Sequence, residues 1–392
     1  MITRRTLVAT AAVLPWIHPA LADRKEPLAD VLDTLPGKRP LIRRSFRPPN
    51  FETPLELLRQ PFTANDAFYV RYHLAVIPQI DAREWRLRVG GASCKSAQEF
   101  TLDELRSRFE RTSIAAVNQC SGNRRGLFTP RVPGVQWGTG AIGHAVWTGV
   151  RLRDVLTAAG VAANALEVTF DGADRPVMPA TPDFIKSLPI ERALDPDTLI
   201  AFDMNGSPLP HWNGAPARLV VPGWAGTYWT KHLTDIRIEP RAADGFWMKS
   251  AYRLPSSGFP GIHFPSQEAA ETRPITELLV NSLITSHRGG ERIRRSESAQ
   301  LRGWSWDGGS GIAAVEVSED GGQTWREAAL GLDMGRFAWR EFRWPIDTAR
   351  AGGHRFMVRA RSRAGARQPR ELTPNPSGYH HNRIQTLELE VA

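Results

Sequence analysis

Residues 117–125 read Val-Asn-Gln-Cys-Ser-Gly-Asn-Arg-Arg, and this stretch decides how the rest of the chain is interpreted. Its cysteine, Cys120, lies among small residues, and Gly122 permits the left-handed backbone of a tight turn. Arg124 and Arg125 place fixed positive charge beside a thiolate, which favours its anionic, metal-binding form. Guanidinium groups also bind oxyanions well. The stretch therefore indicates a thiolate next to an anion pocket.

The same residues have a simpler interpretation, in which Cys120 is a buried packing residue beside two surface arginines. Free cysteine is among the most buried residue types. The chain has one other cysteine, Cys94, so no disulfide within the chain is possible if Cys120 binds a metal. On their own, the residues of this stretch leave both interpretations open.

The first 22 residues have the pattern of an export signal. The arginine pair Arg4-Arg5 precedes an apolar run over residues 7–17, and residues 20–22 read Ala-Leu-Ala, a small-x-small cleavage site. The apolar run is too short to span a bilayer. The pattern predicts twin-arginine export to the periplasm, with an ordinary secretory signal as the alternative. Residues 23–65, polar and punctuated by proline, are expected to form an N-terminal arm.

Length and charge restrict the class of protein. The 370 residues after the signal (392 minus 22) are too many for one typical core and predict two domains. The formal net charge of +9 is spread along the chain, with no basic block interleaved with aromatic residues, so nucleic acid binding is not expected. An anionic substrate and an anionic cofactor account for part of the positive charge. No second apolar stretch is long enough to predict a membrane span.

Hydrophobic patterns predict the elements around Cys120. Alternation over residues 67–78 predicts a strand with Arg71 and His73 on one face. Thr101, followed by a glutamate three residues later, is typical of a capping box that opens a helix. Residues 113–118 predict a strand that leads directly into the cysteine loop. A helix is expected to open at Trp147 and to end near Gly160.

The character of the chain changes after a stretch rich in proline and glycine, residues 255–272. From residue 298 onward, short alternating segments are separated by turn residues, which predicts a β-sandwich. We therefore expect an α+β domain over residues 66–262 and a β-sandwich domain over residues 263–392.

The stretch around Cys120 resembles the molybdenum-ligand loop of the sulfite oxidase family, and further segments match in the same order over nearly the whole chain. Residues 311–325, GIAAVEVSEDGGQTW, resemble the immunoglobulin-like dimerisation domain of that family. The resemblance implies a molybdopterin domain followed by an immunoglobulin-like β-sandwich, a molybdenum–molybdopterin cofactor, and a homodimer. Cys120 matches the cysteine that binds the metal, a soft donor suited to molybdenum.

The resemblance also implies roles for individual residues. Matches to substrate-pocket residues assign catalytic roles to Arg71, His73, Arg125, Trp137 and Tyr252, with Tyr228 as the competing tyrosine. Cofactor contacts are implied for a second set: Tyr72, His73, Cys120, Asn213, Arg218, Thr230 and Lys231. The family often has histidine where this chain has Asn213, and His211 lies two residues earlier, so either residue could contact the cofactor phosphate.

The activity implied is a periplasmic sulfite dehydrogenase that oxidises sulfite to sulfate. The chain has no C-x-x-C-H haem motif, so the expected electron acceptor is a separate protein, a c-type cytochrome. One alternative is a molybdopterin-dependent sulfoxide reductase of the same superfamily, although such members look shorter and lack the sandwich. The other is a non-catalytic binding module on this scaffold, which the presence of Cys120, Arg71, Arg125 and Tyr252 disfavours.

Overall fold

The computed structural model describes residues 30–256, 271–295 and 299–392. The export signal predicted for residues 1–22 lies outside the described residues. A small N-terminal sheet comes first, followed by two sheets with short helices, and then by a β-sandwich.

The N-terminal sheet is antiparallel, with its strands in chain order. A 3-10 turn, Leu55–Leu58, lies between its third and fourth strands. The fourth strand belongs to the segment with Arg71, so the N-terminal arm packs directly against the predicted site. The strands are β1 Leu32–Asp33, β2 Leu41–Ser45, β3 Asn50–Glu52 and β4 Val70–Arg71.

The strand predicted over residues 67–78 is wrong in extent, since the strand covers only Val70–Arg71 and the one further pairing in this segment is an isolated bridge between Val76 and Arg175. Beyond Tyr72 the backbone leaves the sheet, and the ring of His73 stacks on Phe184 with 3.6 Å between ring centroids. Packing of these side chains overrides the local strand preference.

Ten further strands and four short helices complete the first half of the described chain. The strands are β5 Leu87–Gly90, β6 Gln98–Phe100, β7 Arg111–Gln119, β8 Ile142–Arg151, β9 Glu167–Gly172, β10 Lys186–Pro189, β11 Leu199–Met204, β12 Ser207–Pro208, β13 Arg218–Val220 and β14 Leu233–Glu239. The helices are α1 Leu102–Arg108, α2 Leu152–Ala159, α3 Ile190–Ala193 and α4 Phe246–Lys249.

These strands form two sheets around one apolar core. One sheet has the order β10-β9-β14-β5-β6, with β14 parallel to β5. The other has the order β12-β11-β8-β7, with β13 also paired to β11. In the second sheet, β7 and β8 are paired without interruption from Arg111↔Val150 to Gln119↔Ile142. This long ladder fixes the strand end from which the cysteine loop emerges.

Two predicted helix starts have different outcomes. The capping box at Thr101 is confirmed: Glu104 N donates to Thr101 Oγ1, and the Glu104 carboxylate accepts from the Thr101 N–H. The helix expected from Trp147 begins only at Leu152, because residues 142–151 remain in β8. Trp147 is fully buried and its indole N–H donates to the carbonyl of Ala116, which holds it in the sheet.

The remaining strands begin with the two-stranded ribbon β15–β16 and then form the sandwich. Its two sheets have the orders β17-β19-β23-β22 and β18-β25-β24-β20-β21, and they enclose a second apolar core. The prediction of an α+β domain followed by a β-sandwich is therefore confirmed. The strands are β15 Arg253–Pro255, β16 Thr272–Pro274, β17 Asn281–Ile284, β18 Glu291–Ile293, β19 Gln300–Trp306, β20 Ile312–Ser318, β21 Arg326–Glu327, β22 Ala329–Leu330, β23 Arg340–Pro345, β24 Gly352–Ser362 and β25 Gln385–Val391.

Candidate functional site

Cys120 lies immediately after β7, in a turn that the neighbouring strand holds in place. Its N–H donates to the Ala141 carbonyl at 3.0 Å, and its own carbonyl accepts from Asn123 N at 2.9 Å. The Asn123 side chain accepts from Ala141 N at 3.1 Å, which ties both sides of the turn together. Cys120 is buried, and it lines a cavity between the sheets.

The two arginines after Cys120 point in different directions. Arg124 has a left-handed backbone (φ 67°), and its buried guanidinium donates to Asn281 Oδ1 at 2.8 Å and to the Ser282 carbonyl at 2.6 Å. Both partners lie in β17 of the sandwich, so Arg124 joins the cysteine loop to the second domain. It makes no contribution to the anion pocket that the sequence suggested for the pair.

Arg125 lies nearer the cavity, but its hydrogen bonds also reach across the domain boundary. Its Nε donates to the Ser377 carbonyl at 2.7 Å, Nη1 donates to the Val135 carbonyl at 3.1 Å, and Cζ lies 5.1 Å from the centroid of the Tyr379 ring. A Cβ at Gly122 would come within 2.6 Å of this guanidinium, so glycine is required for the close approach. The predicted contact of Arg125 with substrate stays a prediction.

Arg71, His73 and Tyr252 meet at one end of the cavity. Arg71 Nη2 donates to the Tyr252 hydroxyl oxygen at 3.4 Å, and the same hydroxyl is hydrogen-bonded to His73 Nε2. The ring of Tyr252 stacks on Tyr379 with 5.4 Å between centroids. The competing tyrosine, Tyr228, does not line this cavity. Of the two tyrosines, Tyr252 lines the cavity, and its role at the active site stays a prediction.

The electrostatics of this group favour a neutral histidine and a protonated phenol. Burial, assisted by Arg71, lowers the pKa of His73 well below its ordinary value, so its imidazole is neutral near pH 7. Burial raises the pKa of Tyr252. His73 is therefore suited to hydrogen bonding with the phenol, and the positive charge at this end comes from Arg71.

A second group of cations lines the same cavity. Arg218 is buried and donates to the carbonyls of Asn213 at 2.9 Å and Trp229 at 3.0 Å. Lys231 Nζ donates to the Arg71 carbonyl and lies 3.2 Å from the centroid of the Tyr72 ring. Burial lowers the pKa of Arg218 to about 10, and burial together with Arg218 lowers that of Lys231 well below its ordinary value. A bound anion would reverse both shifts.

Tyr72 and Asn213 are held by partners that the sequence did not indicate. The Tyr72 hydroxyl is hydrogen-bonded to His232 Nε2 at 2.7 Å. Lys38, from the N-terminal arm, donates to Asn213 Oδ1 at 2.7 Å. Asn213 lines the cavity, whereas His211 does not, although His211 Nε2 is buried without a hydrogen-bond partner among the described residues.

The free volume of the cavity is about 50 Å³, and polar and aromatic side chains surround it closely. Three predicted residues, Arg125, Trp137 and Thr230, do not line it. Trp137 is fully buried with its ring edge-on to Tyr69, and Thr230 is buried beside Lys231. The cavity does bring together eight of the predicted site residues: Arg71, Tyr72, His73, Cys120, Asn213, Arg218, Lys231 and Tyr252.

Sequence reasoning missed several residues of the site. Tyr69 lines the cavity and donates to Asn118 Oδ1, and the alternation that placed Arg71 and His73 on one face also includes position 69. Asn118 lies two residues before Cys120 on β7 and could have been found from that spacing. Tyr379 comes from the sandwich domain, where no local pattern marked it.

The donors around the cavity fit an anionic cofactor. Among the residues that the structure describes, no carboxylate forms an ion pair within 4 Å with Arg71, Arg218 or Lys231, although Asp174 also lines the cavity and its charge partly offsets the lowering of the Lys231 pKa. Cations withdrawn from water without a close ion-pair partner are costly. Asn118 Nδ2 and Thr227 Oγ1 are buried without a hydrogen-bond partner in the described parts of the chain, and both residues line the cavity. A phosphate and a polar ring system would supply the missing partners.

The metal-binding capacity of the site rests on one thiolate. No group of three or more histidine, cysteine or carboxylate side chains that could hold a metal occurs within the described ranges. Cys120 is a buried thiol that lines the cavity, and its soft sulfur could supply one ligand to a metal held by a cofactor.

Comparisons with known proteins agree with this description. Residues 73–247 match the family described as oxidoreductase molybdopterin binding domain, and residues 272–390 match the Mo-co oxidoreductase dimerisation domain. The chain is 37% identical to human mitochondrial sulfite oxidase over 319 residues, which cover 78% of this chain and 57% of that protein. It therefore spans little more than half the length of that relative.

Two further similarities cover larger parts of the compared proteins. Sulfite oxidase from Gallus gallus is 36% identical over 341 residues, which cover 84% of this chain and 72% of that protein. The crystal structure of the sulfane dehydrogenase SoxCD from Paracoccus pantotrophus superposes with a TM-score of 0.73 at 26% identity, over 96% of this chain and 94% of that one.

Fold, site and domain matches together define a molybdopterin-binding oxidoreductase. The chain belongs to the sulfite oxidase family of molybdenum enzymes, and its cofactor is molybdenum bound to molybdopterin. Across residues 30–256, 271–295 and 299–392, none of the helices is long and apolar enough to cross a lipid bilayer.

Proposed function

We propose that the protein is a sulfite dehydrogenase, which oxidises sulfite to sulfate and passes the electrons to a separate c-type cytochrome in the periplasm. The observation that carries this proposal is the cationic cavity around Cys120, with the Arg71–Tyr252–His73 group at one end. A sulfur oxyanion requires fixed positive charge and hydrogen-bond donors, and this group provides both.

Two groups of residues in the cavity have different roles in this proposal. Cys120 would bind the metal, while Arg218, Lys231 and Asn213 would hold the anionic end of the cofactor. When bound, the cofactor supplies the two-electron oxidation and the oxygen-transfer chemistry. Arg71 is placed to neutralise and orient the substrate anion. Tyr252 is placed to donate a hydrogen bond to a substrate oxygen, because burial keeps its phenol protonated.

Oxidation of a sulfane sulfur is a second candidate, because the SoxCD structure that resembles this chain over most of its length is a sulfane dehydrogenase. The relatives named sulfite oxidase favour sulfite. We further propose twin-arginine export, from the Arg4-Arg5 pattern, and a homodimer, from the match to a dimerisation domain over residues 272–390.

Metal content and activity, measured together on the purified protein, test the proposal. We expect about one molybdenum per chain and sulfite-dependent reduction of ferricyanide and of cytochrome c. Both activities should be lost in Cys120→Ala. A molybdenum-loaded protein that does not oxidise sulfite but oxidises a sulfane substrate would support a sulfane dehydrogenase. Reduction of a sulfoxide instead would indicate a reductase, and a protein without molybdenum from a cofactor-competent host would contradict every enzymatic proposal.

A further inference from the structure

A second, more open cavity lies outside the Arg71–Tyr252–His73 group and connects it to solvent. We call it the vestibule; its volume is about 670 Å³, and its lining includes Arg43, Arg47, Asn50, Arg71, His73 and Trp247. Arg71 and His73 also line the inner cavity, so the two spaces meet at these side chains. A substrate that enters through the vestibule reaches Arg71 before it reaches Cys120.

The outer wall of the vestibule is the hairpin turn between β2 and β3, which carries Arg47. This turn is fixed directly against Arg71, because Arg71 Nη1 donates to Asn50 Oδ1 at 3.2 Å. Asn50 Nδ2 in turn donates to Ser45 Oγ at 2.7 Å and to the Pro48 carbonyl at 3.0 Å. The position of Arg47 beside the entrance is therefore set by hydrogen bonds on both sides of it.

The charges on this turn are not equivalent. Arg43 pairs with Asp33 at 2.6 Å, and Arg44 pairs with Glu52 at 2.7 Å and with Asp30 at 3.2 Å. Arg47 is exposed, and in the described part of the chain no carboxylate lies within ion-pair distance of it. Its charge is thus not neutralised locally, and the electric field of this charge acts on anions in the vestibule.

We propose that Arg47 is an electrostatic steering residue, which raises the concentration of the anionic substrate in the vestibule and delivers it to Arg71. This inference rests on the proposed function, since it assumes that the substrate is a small sulfur oxyanion. A concave surface of one charge focuses the field and accelerates the entry of an opposite charge. Because Arg47 lies outside the inner cavity, it acts on entry and has no part in the chemical step.

The test is the reductive half-reaction of the holoenzyme, followed by stopped-flow absorbance with sulfite and no electron acceptor, so that docking of a partner protein does not contribute. At about 10 mM ionic strength, where the Debye length is about 30 Å, we expect Arg47→Gln to lower the second-order rate constant about threefold to tenfold. The limiting rate at saturating sulfite should be unchanged. At about 1 M ionic strength the difference should disappear.

Two further variants separate charge from shape. Arg47→Lys keeps the charge and should retain most of the native second-order rate constant. Arg367→Gln removes an exposed arginine of the sandwich that does not line the vestibule. This variant should have the native second-order rate constant. The steering role would be overturned if the second-order rate constant of Arg47→Gln stayed low at high ionic strength. It would also be overturned if Arg47→Gln lowered the limiting rate at saturating sulfite.

Sulfate binding, measured by isothermal titration calorimetry at the same two ionic strengths, separates this inference from the proposed function. If sulfite fails to reduce the native holoenzyme but sulfate binds more weakly to Arg47→Gln at low ionic strength only, the proposed function fails and steering of oxyanions stands. If sulfate binding and sulfite reduction are both insensitive to Arg47→Gln, the steering proposal fails, whatever the substrate.

Discussion

At the scale of single residues, Tyr252 is the side chain on which the proposed chemistry depends most. It has a left-handed backbone (φ 59°), which costs a residue other than glycine about 1 kcal/mol or more. The contacts with His73 and Arg71, and stacking on Tyr379, offset that cost. A strained residue held by several partners is typical of a functional site.

Removal of the Tyr252 hydroxyl should impair turnover without loss of cofactor. In Tyr252→Phe, Arg71 loses a hydrogen-bond acceptor, and a donor to the substrate oxygen disappears. A charge-assisted hydrogen bond contributes about 1.5–3 kcal/mol, so kcat/KM for sulfite should fall about 10- to 100-fold. Steady-state kinetics at equal molybdenum content measure this.

Tyr228→Phe is the matched control for this substitution. The Tyr228 hydroxyl is buried without a hydrogen-bond partner among the residues described, and it does not line the cavity. Its removal should leave kcat/KM within about twofold of the native value. If Tyr228→Phe proved the more damaging change, the assignment of Tyr252 would be wrong.

Lys231 should be needed for retention of the cofactor. Lys231→Met removes a partly buried cation that faces the inner cavity with no ion-pair partner in the described ranges. Loss of a charge-assisted contact to an anion should weaken retention about tenfold or more. Molybdenum and pterin content after extended dialysis measure the retention of the cofactor directly. The control is Lys249→Met, which removes an exposed lysine. Full retention by Lys231→Met would contradict the contact.

At the scale of secondary-structure elements, the cysteine loop connects β7 to the sandwich. Arg124 reaches β17, and the indole N–H of Trp306, in β19, donates to Gln119 Oε1 at 2.7 Å. The His380 N–H donates to the Ser121 carbonyl at 3.3 Å. Elements of the second domain therefore hold the loop that carries the metal ligand.

Arg124 should matter for stability more than for substrate binding. Arg124→Met removes two hydrogen bonds to β17 and should destabilise the protein by about 1.5–3 kcal/mol, which lowers its melting temperature by several degrees. The KM for sulfite should change little. Calorimetry on this variant, beside the exposed Arg131→Met, provides the comparison. A large rise in KM with an unchanged melting temperature would assign Arg124 to the substrate instead.

Lys186 in β10 gives the protein a pH-dependent stability. Its ammonium group is buried, donates to the Trp247 carbonyl at 2.7 Å and lies 4.4 Å from the centroid of the Tyr228 ring. Burial, with the charge of Arg253, lowers its pKa to about 7. Above pH 7, the unfolded chain therefore binds more protons at Lys186 than the folded chain, until both forms are neutral above its ordinary pKa.

The sign of this effect can be measured. As the pH rises from 7 to about 10, the stability of the native protein should increase relative to Lys186→Met, by up to about 1.4 kcal/mol per pH unit. Differential scanning calorimetry across this range, on both proteins with equal cofactor content, follows the difference in melting temperature. A constant difference would show that Lys186 does not titrate in the folded protein.

At the scale of the whole molecule, the sequence predicted the two-part architecture, because alternating strands and turn residues are local signals. The positions of Cys120, Arg71 and Tyr252 around one cavity followed from the family resemblance. Residue patterns alone could not supply them, since the segments lie far apart in the chain. The separation of Arg124 from Arg125 was not predictable either, because it depends on a left-handed backbone and on partners in the sandwich.

The same reasoning explains why the contribution of Tyr379 went unrecognised. The family resemblance implied a dimerisation domain for the sandwich, and no local pattern indicated a contact of this domain with the site. The segment between β24 and β25 nevertheless returns to the first domain, where Tyr379 stacks on Tyr252 and Ser377 accepts a hydrogen bond from Arg125. A contact between domains leaves no periodic signal in either segment.

This returning segment has a consequence for how the enzyme is made. A ribosome synthesises the residues around Cys120 long before those around Ser377 and Tyr379, so the wall next to Tyr252 is missing from every nascent chain that stops short of them. The cavity remains open on that side until the residues around Ser377 and Tyr379 have been synthesised. Closure of the pocket is therefore a late event in synthesis, which follows the appearance of the metal-binding loop by about 250 residues of chain.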